Sequence, residues 1–197
     1  MWRHRARSRW WSPAIALAAV LLSPGSAHAD MALGARLAQC GACHGEDGNS
    51  RMEKTPSLAG QPKFFVVNQL ILMREGVRKV AVMMPFVKDL TDSDIEALAE
   101  HYARLTPELT GARPDPALAA RGAELANRLR CASCHGPSLG GHQQMPRIAG
   151  QRIDYMFEAL KAYRDNTRSG ADTLMSAAVY GLSDAQLNAL AHYAASR

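Results

Sequence analysis

The sequence predicts an all-α fold built from two tandem copies of one small helical unit. Three observations carry this. The pentapeptide C-x-x-C-H occurs twice, as Cys40-Gly41-Ala42-Cys43-His44 and Cys131-Ala132-Ser133-Cys134-His135, and takes up all four cysteines. The chain also aligns with itself about 91 residues on. Cys43 matches Cys134 and His44 matches His135 at an offset of 91, Leu58-Ala59-Gly60-Gln61 matches Ile148-Ala149-Gly150-Gln151 at 90, and Met83 and Leu90 match Met175 and Leu182 at 92. Finally, apolar residues recur with a helical period, and no segment alternates convincingly as a strand.

Residues 1–29 read as an export signal. Arg3, Arg5, Arg7 and Arg9 form a basic start, Ala14 to Leu22 an apolar stretch, and Ala27-His28-Ala29 a small-residue cleavage site. Cleavage is expected before Asp30, with an uncleaved anchor as the alternative. The apolar run is too short for a stable membrane span, and no later segment reaches that length. Residues 30–106 form the first domain, 107–116 a linker rich in helix breakers, and 117–197 the second domain. Each copy is small for an independent core, so an apolar group bound inside it would be structural as well as functional.

Within each copy the pattern predicts three main helices. The first, about 32–39 and 116–130, runs into the Cys motif. A middle helix follows Gln61 or Gln151, with Pro62 suited to a first turn and Gly76 to an end. The last helix opens on Thr91-Asp92-Ser93-Asp94 or Ser183-Asp184-Ala185-Gln186, both resembling capping boxes. Ile95, Leu98, Ala99 and Tyr102 then form one apolar stripe, and Leu187, Leu190, Ala191 and Ala194 the other.

Charge excludes one class of function. The whole chain has 23 Lys and Arg against 18 Asp and Glu. Four of those arginines leave with the signal, so the mature chain stands at 19 against 18, and a nucleic-acid partner has no support. The balance is uneven: residues 30–110 carry 9 basic against 11 acidic groups, and residues 111–197 carry 10 against 7. Such a dipole orients docking and tunes on-rate.

The C-x-x-C-H spacing is the attachment signature of c-type haem. Cys40 and Cys43, and Cys131 and Cys134, would each hold one haem through its vinyl groups. His44 and His135 then fall beneath the two irons as axial ligands. A zinc site built from the two C-x-x-C pairs would bring them closer in sequence and would not need a His after each. A thioredoxin-like dithiol would expect a βαβ context, which is missing here.

The second axial position decides between an electron carrier and an enzyme. A thioether there closes the iron to substrates and raises its potential. Met175 is the candidate in the second copy and Met83, in the same register, in the first. The neighbouring Met84 is the alternative. Met73 and Met156, on middle helices, read as core filler, and Met145 as packing. His101 and His192 both precede a tyrosine, but the offset of 92 aligns His101 with Tyr193, so they occupy different helix faces. His142 reads as solvent-facing. A ligating imidazole normally donates its other N–H to a carbonyl. Pro56 and Pro146, 12 and 11 residues after their histidines, are the candidates.

The chain resembles the dihaem cytochrome c4 family. The resemblance rests on Cys43-His44-Gly45-Glu46-Asp47-Gly48, Pro56-Ser57-Leu58-Ala59-Gly60-Gln61 and Asn68-Gln69-Leu70 in the first copy. In the second it rests on Cys134-His135-Gly136, Pro146-Arg147-Ile148-Ala149-Gly150-Gln151 and the stretch from Met175 to Tyr193. It implies two class I cytochrome c folds related by a pseudo-two-fold axis, with the haem propionates meeting near the interface. Met84 is followed by Pro85, as axial methionines often are in related small cytochromes. The resemblance also implies a periplasmic carrier, often membrane-associated, passing electrons from a quinol-oxidising complex or dehydrogenase to a terminal oxidase.

On this reading the chain makes and breaks no substrate bond. The alternatives are the cytochrome subunit of a flavocytochrome c sulfide dehydrogenase-like complex, and a dihaem peroxidase or sulfur-compound oxidoreductase. The sequence departs from the family in Val77-Arg78-Lys79-Val80-Ala81-Val82, which is shorter and more apolar than usual before the first Met. It departs again in Tyr163-Arg164-Asp165-Asn166-Thr167-Arg168, where an aromatic-x-Gly-x-Arg pattern is common.

Overall fold

The computed structural model describes residues 25–170 and 173–197, so most of the expected export signal lies outside the described residues. Among those residues the chain forms nine helices and no sheet, with one isolated bridge between His142 and Met145. The first lobe holds α1 (Gly25–His44), α2 (Lys63–Arg74), α3 (Met84–Val87) and α4 (Asp92–Arg104). The second holds α5 (Pro116–Arg128), α6 (Ala132–His135), α7 (Ile153–Arg164), α8 (Thr173–Val179) and α9 (Asp184–Ala195). None of the described helices is long and apolar enough to cross a membrane.

The copies differ at the approach to the Cys motif. In the first lobe α1 begins seven residues before its expected start and continues unbroken through Cys40 and Cys43 to His44. In the second lobe the helix expected over 116–130 ends at Arg128, and no continuous helix carries the Cys motif. Arg130 adopts a left-handed φ of 56°, the N–H of Arg130 bonds the Asn127 carbonyl, and the N–H of Cys131 bonds that of Ala126. These two bonds are the Schellman closure of a helix end. The chain then restarts as α6, which carries Cys134 and His135.

The middle helices end alike. Gly76 (φ 69°) and Asn166 (φ 52°) stand 90 residues apart in the left-handed region that Gly reaches freely and Asn tolerates. Beyond them the N–H groups of Arg78 and Arg168 return to the carbonyls of Leu72 and Ala162. Asn166 thus does in the second lobe what Gly76 does in the first. Pro62 sits at the N-cap of α2, one place before its expected first turn, where its missing N–H costs nothing.

Both last helices carry complete capping boxes: the Thr91 hydroxyl accepts from the Asp94 N–H while the Asp94 carboxylate accepts from the Thr91 N–H, and Ser183 and Gln186 do the same. The apolar stripes face inward as the period requires, with Ile95, Leu98, Ala99, Tyr102, Leu187, Leu190, Ala191 and Ala194 all buried. In the second lobe α9 packs against both α5 and α7.

The segment between lobes is strapped down rather than free. Asn49 donates to the Thr106 carbonyl (3.0 Å) and accepts from the Glu108 N–H (2.8 Å). Further on, Gly111 lies against the Arg152 guanidinium. Across the interface the Gln61 amide donates to the Arg147 carbonyl (2.8 Å) and accepts from the Arg147 N–H (3.1 Å). The Gln151 amide makes the same pair of bonds with Ser57, at 2.9 Å each. Gln61 matches Gln151 and Ser57 matches Arg147 at an offset of 90, so each bond has a symmetry mate. The lobes meet about a local two-fold axis.

Candidate functional site

Each lobe builds the same constellation from the same parts. His44 is 6% exposed, and its Nδ1 lies 2.8 Å from the Pro56 carbonyl oxygen. His135 is 5% exposed, and its Nδ1 lies 2.9 Å from the Pro146 carbonyl oxygen. A carbonyl only accepts, so Nδ1 carries the proton in both rings and Nε2 keeps a free lone pair. Burial holds both imidazoles below the ordinary histidine range, against the pull of the proline carbonyls. Neutral imidazole is the form that ligates a metal.

The cysteines are unpaired. Burial pushes the Cys40 thiol up, with the Tyr102 hydroxyl opposing, and burial pushes up Cys131. A dithiol oxidoreductase needs a depressed thiol, so the environment disfavours that chemistry. No group of three or more His, Cys, Asp or Glu among the described residues is arranged to hold a metal ion, which leaves the zinc alternative without a site.

The candidate methionines pack on the two apolar clusters, beside the first cysteine of each motif. Cys40, Met83 and Met84 all pack on one apolar cluster with Met73, Val87, Leu90, Ile95 and Leu98. Cys131 and Met175 pack on its counterpart, with Met156, Leu160, Val179 and Leu187. Met73 and Met156 are buried core residues, and His142 is exposed, as expected. His101 lies edge-on to Tyr102, whereas His192 Nδ1 accepts the Asp115 N–H at 2.9 Å. The Gly60 N–H bonds the Tyr102 carbonyl and the Gly150 N–H bonds that of Ala194, which fixes the helix register and keeps the two histidines inequivalent.

Two arginines escaped the sequence analysis as site residues. Arg78 and Arg168 are related by the offset of 90, as the glutamines are, and the backbone of Arg78 packs against Gly170 across the interface. Arg78 donates to Gln69 Oε1 at 2.6 Å, but its Nε is buried without a partner. Arg168 lies over the Tyr163 ring at 4.9 Å. Among the described residues neither guanidinium has a carboxylate in ion-pair reach. Burial and the Arg168 charge lower the affinity of Arg78 for its proton. Half-buried guanidinium groups lacking a counter-anion fit the ionised propionates of a porphyrin. A usable signal was the matched Gly76-x-Arg78 and Asn166-x-Arg168.

The donor set and the apolar clusters fit a covalently held haem in each lobe, and the unpartnered Arg78 Nε adds to this in the first. Comparison with known proteins agrees. A cytochrome c family model matches residues 119–196, and the model for subunit III of cbb3-type cytochrome c oxidase matches residues 30–101. Cytochrome c4 of Pseudomonas aeruginosa is 33% identical over 183 residues, covering 86% of this chain and 90% of the relative. The thiosulfate dehydrogenase electron acceptor of Thiomonas intermedia is 35% identical over 171 residues, covering 81% and 79%. The crystal structure of reduced recombinant cytochrome c4 from Pseudomonas stutzeri superposes with a TM-score of 0.76 at 31% identity, covering 84% of this chain and 96% of that one. The chain carries covalent haem c, and it belongs to the cytochrome c4 family of electron-transfer proteins.

Proposed function

We propose that Cys40 and Cys43 hold one haem and Cys131 and Cys134 the other, with His44 and Met83, and His135 and Met175, as axial ligands. Each bound haem supplies reversible one-electron Fe(III)/Fe(II) chemistry. The chain's own residues keep that chemistry closed. The proline carbonyls of Pro56 and Pro146 orient the imidazoles, the apolar clusters exclude water, and the thioethers fill the last position. The observation that carries this reading is its duplication. In both lobes a buried His offers Nε2, and a Met packs on the same apolar cluster as the first Cys of the motif.

Register favours Met83 over Met84. Val87 and Val179 are both buried, stand four residues after Met83 and Met175, and accept the N–H bonds of Leu90 and Leu182.

We read the chain as exported to the periplasm, as the signal-like N-terminus and extracytoplasmic haem attachment suggest. It passes single electrons between respiratory donors, such as a quinol-oxidising complex, and a terminal oxidase, and catalyses no bond change itself. A second reading is supported by the Thiomonas relative: this chain accepts electrons from a thiosulfate dehydrogenase. Stopped-flow mixing of the oxidised, haem-loaded protein with each candidate donor separates them. Fast reduction by the quinol-oxidising complex and fast reoxidation by the oxidase support the first reading. Fast reduction by thiosulfate dehydrogenase with thiosulfate alone moves the second ahead. Turnover of thiosulfate or peroxide by the protein alone overturns the carrier reading.

A further inference from the structure

The inference concerns Gln61 and Gln151 and rests on His44 and His135 being the iron ligands. Each glutamine is 5% exposed and reaches out of its own lobe. Gln61 grips both backbone polar groups of Arg147, the residue after Pro146, whose carbonyl receives the His135 N–H. Gln151 grips both backbone polar groups of Ser57, the residue after Pro56, whose carbonyl receives the His44 N–H. Each proximal hydrogen bond is therefore held in place by a side chain from the other lobe.

We propose that Gln61 and Gln151 are crossed positioning residues, the glutamine of each lobe tuning the reduction potential of the haem in the opposite lobe. The peptide linking Pro146 to Arg147 carries the carbonyl that orients His135, and gripping Arg147 at both N–H and C=O fixes the plane of that peptide. A well-directed acceptor makes the imidazole a stronger donor to the metal, which favours the ferric state. Releasing the grip lengthens or misaligns the bond and raises the potential. The same logic runs from Gln151 through Ser57 to His44.

The two arms are unequal. Ser57 is tied further into its own lobe, because its hydroxyl accepts the Ser50 N–H (3.1 Å) and the Ser50 hydroxyl donates to the Cys43 carbonyl (2.8 Å). Arg147, in the matching place, has no hydroxyl to make such a link. The first-lobe proximal loop is thus doubly braced, and the second depends more on its glutamine. Losing Gln61 should shift its target more than losing Gln151.

The test is a haem-resolved redox titration of the full haem-loaded protein, following NMR-assigned haem methyl resonances of each lobe. Gln61→Met is expected to raise the midpoint potential of the second-lobe haem and leave the first unchanged. Gln151→Met is expected to raise that of the first, by less. Gln61→Leu and Gln151→Leu remove both bonds without adding charge and should give the same crossed shifts, so the idea stays testable if a Met variant misfolds. A shift confined to the variant's own lobe, equal shifts in both, or none would overturn the proposal. Failure of the ligation reading is distinct, since it would appear as a missing low-spin haem in the unmodified protein.

Discussion

Gly122 on α5 lies so close to Ala189 on α9 that a Cβ added at Gly122 would stand 2.0 Å from the Ala189 carbonyl oxygen. The obstacle is backbone, which cannot swing aside as a side chain tip does. This contact sets how closely the first and last helices of the second lobe cross, and so where the Cys131 end of α5 stands relative to the core.

Replacing Gly122 with Ala should therefore destabilise the protein by about 1–3 kcal/mol or more, as overpacking of a close-fitted contact does. Gly34 on α1 provides the contrast, because an added Cβ there meets nothing within 4 Å. Gly34→Ala in the same haem-loaded protein should be neutral or stabilising by up to about 1 kcal/mol, from the gain in helix propensity. Thermal unfolding of the two variants checks both signs.

The capping boxes should be worth similar amounts in the two lobes. Thr91→Ala and Ser183→Ala each remove the acceptor for one orphan N–H and should cost about 1 kcal/mol. Denaturant unfolding should show a shifted midpoint with an unchanged slope, since neither variant alters the buried surface.

Much of this architecture was legible in the sequence, for a physical reason. Caps, helix stripes and the C-x-x-C-H spacing are local, so Thr91, Ser183 and the Ile95 to Tyr102 stripe could be read from their neighbours. The 91-residue repeat then carried a clear signal in one copy to a weaker one in the other, which is how Met175 points to Met83 as the first-lobe candidate. What stayed hidden depends on how the lobes face each other. Gln61 and Gln151 were visible as repeat markers, but their reach to Arg147 and Ser57 is a relation across the two-fold axis. Arg78 and Arg168 read as a departure in loop composition, yet Asn166 simply replaces Gly76 at a left-handed position. The helix expected over 116–130 overran its observed end at Arg128 by two residues, because the left-handed residue that closes it is Arg130 rather than a glycine.

Acid should loosen the lobe interface through Asp154. Burial pushes this carboxyl up, but the Arg152 guanidinium and the N–H groups of Lys54 and Tyr155 outweigh it, holding it below its ordinary value of 3.8. A carboxyl whose folded value is depressed contributes stability above its unfolded value, and that contribution is lost as pH falls below it. The Lys54 contact crosses between lobes, so acid unfolding below about pH 4 should be shallower in Asp154→Asn, which lacks this contribution at every pH. An unchanged acid limb in that variant would remove Asp154 from the account.

Register makes a sharp statement about the methionines. Met83→Ala and Met175→Ala should each abolish half of the weak long-wavelength sulfur-to-iron absorption of the oxidised protein. Met84→Ala should leave it whole. Loss of the band in the Met84 variant with retention in the Met83 variant would reassign the first-lobe ligand.

The central claim is that two closed His/Met irons sit in one chain, and the absorption spectrum of the oxidised, haem-loaded mature protein tests it most directly. The account predicts two haems per chain and the sulfur-to-iron band at the full strength of two such sites. A half-strength or absent band, accompanied by a high-spin signal, would contradict it, showing an iron open to substrate and moving the protein from carrier towards enzyme.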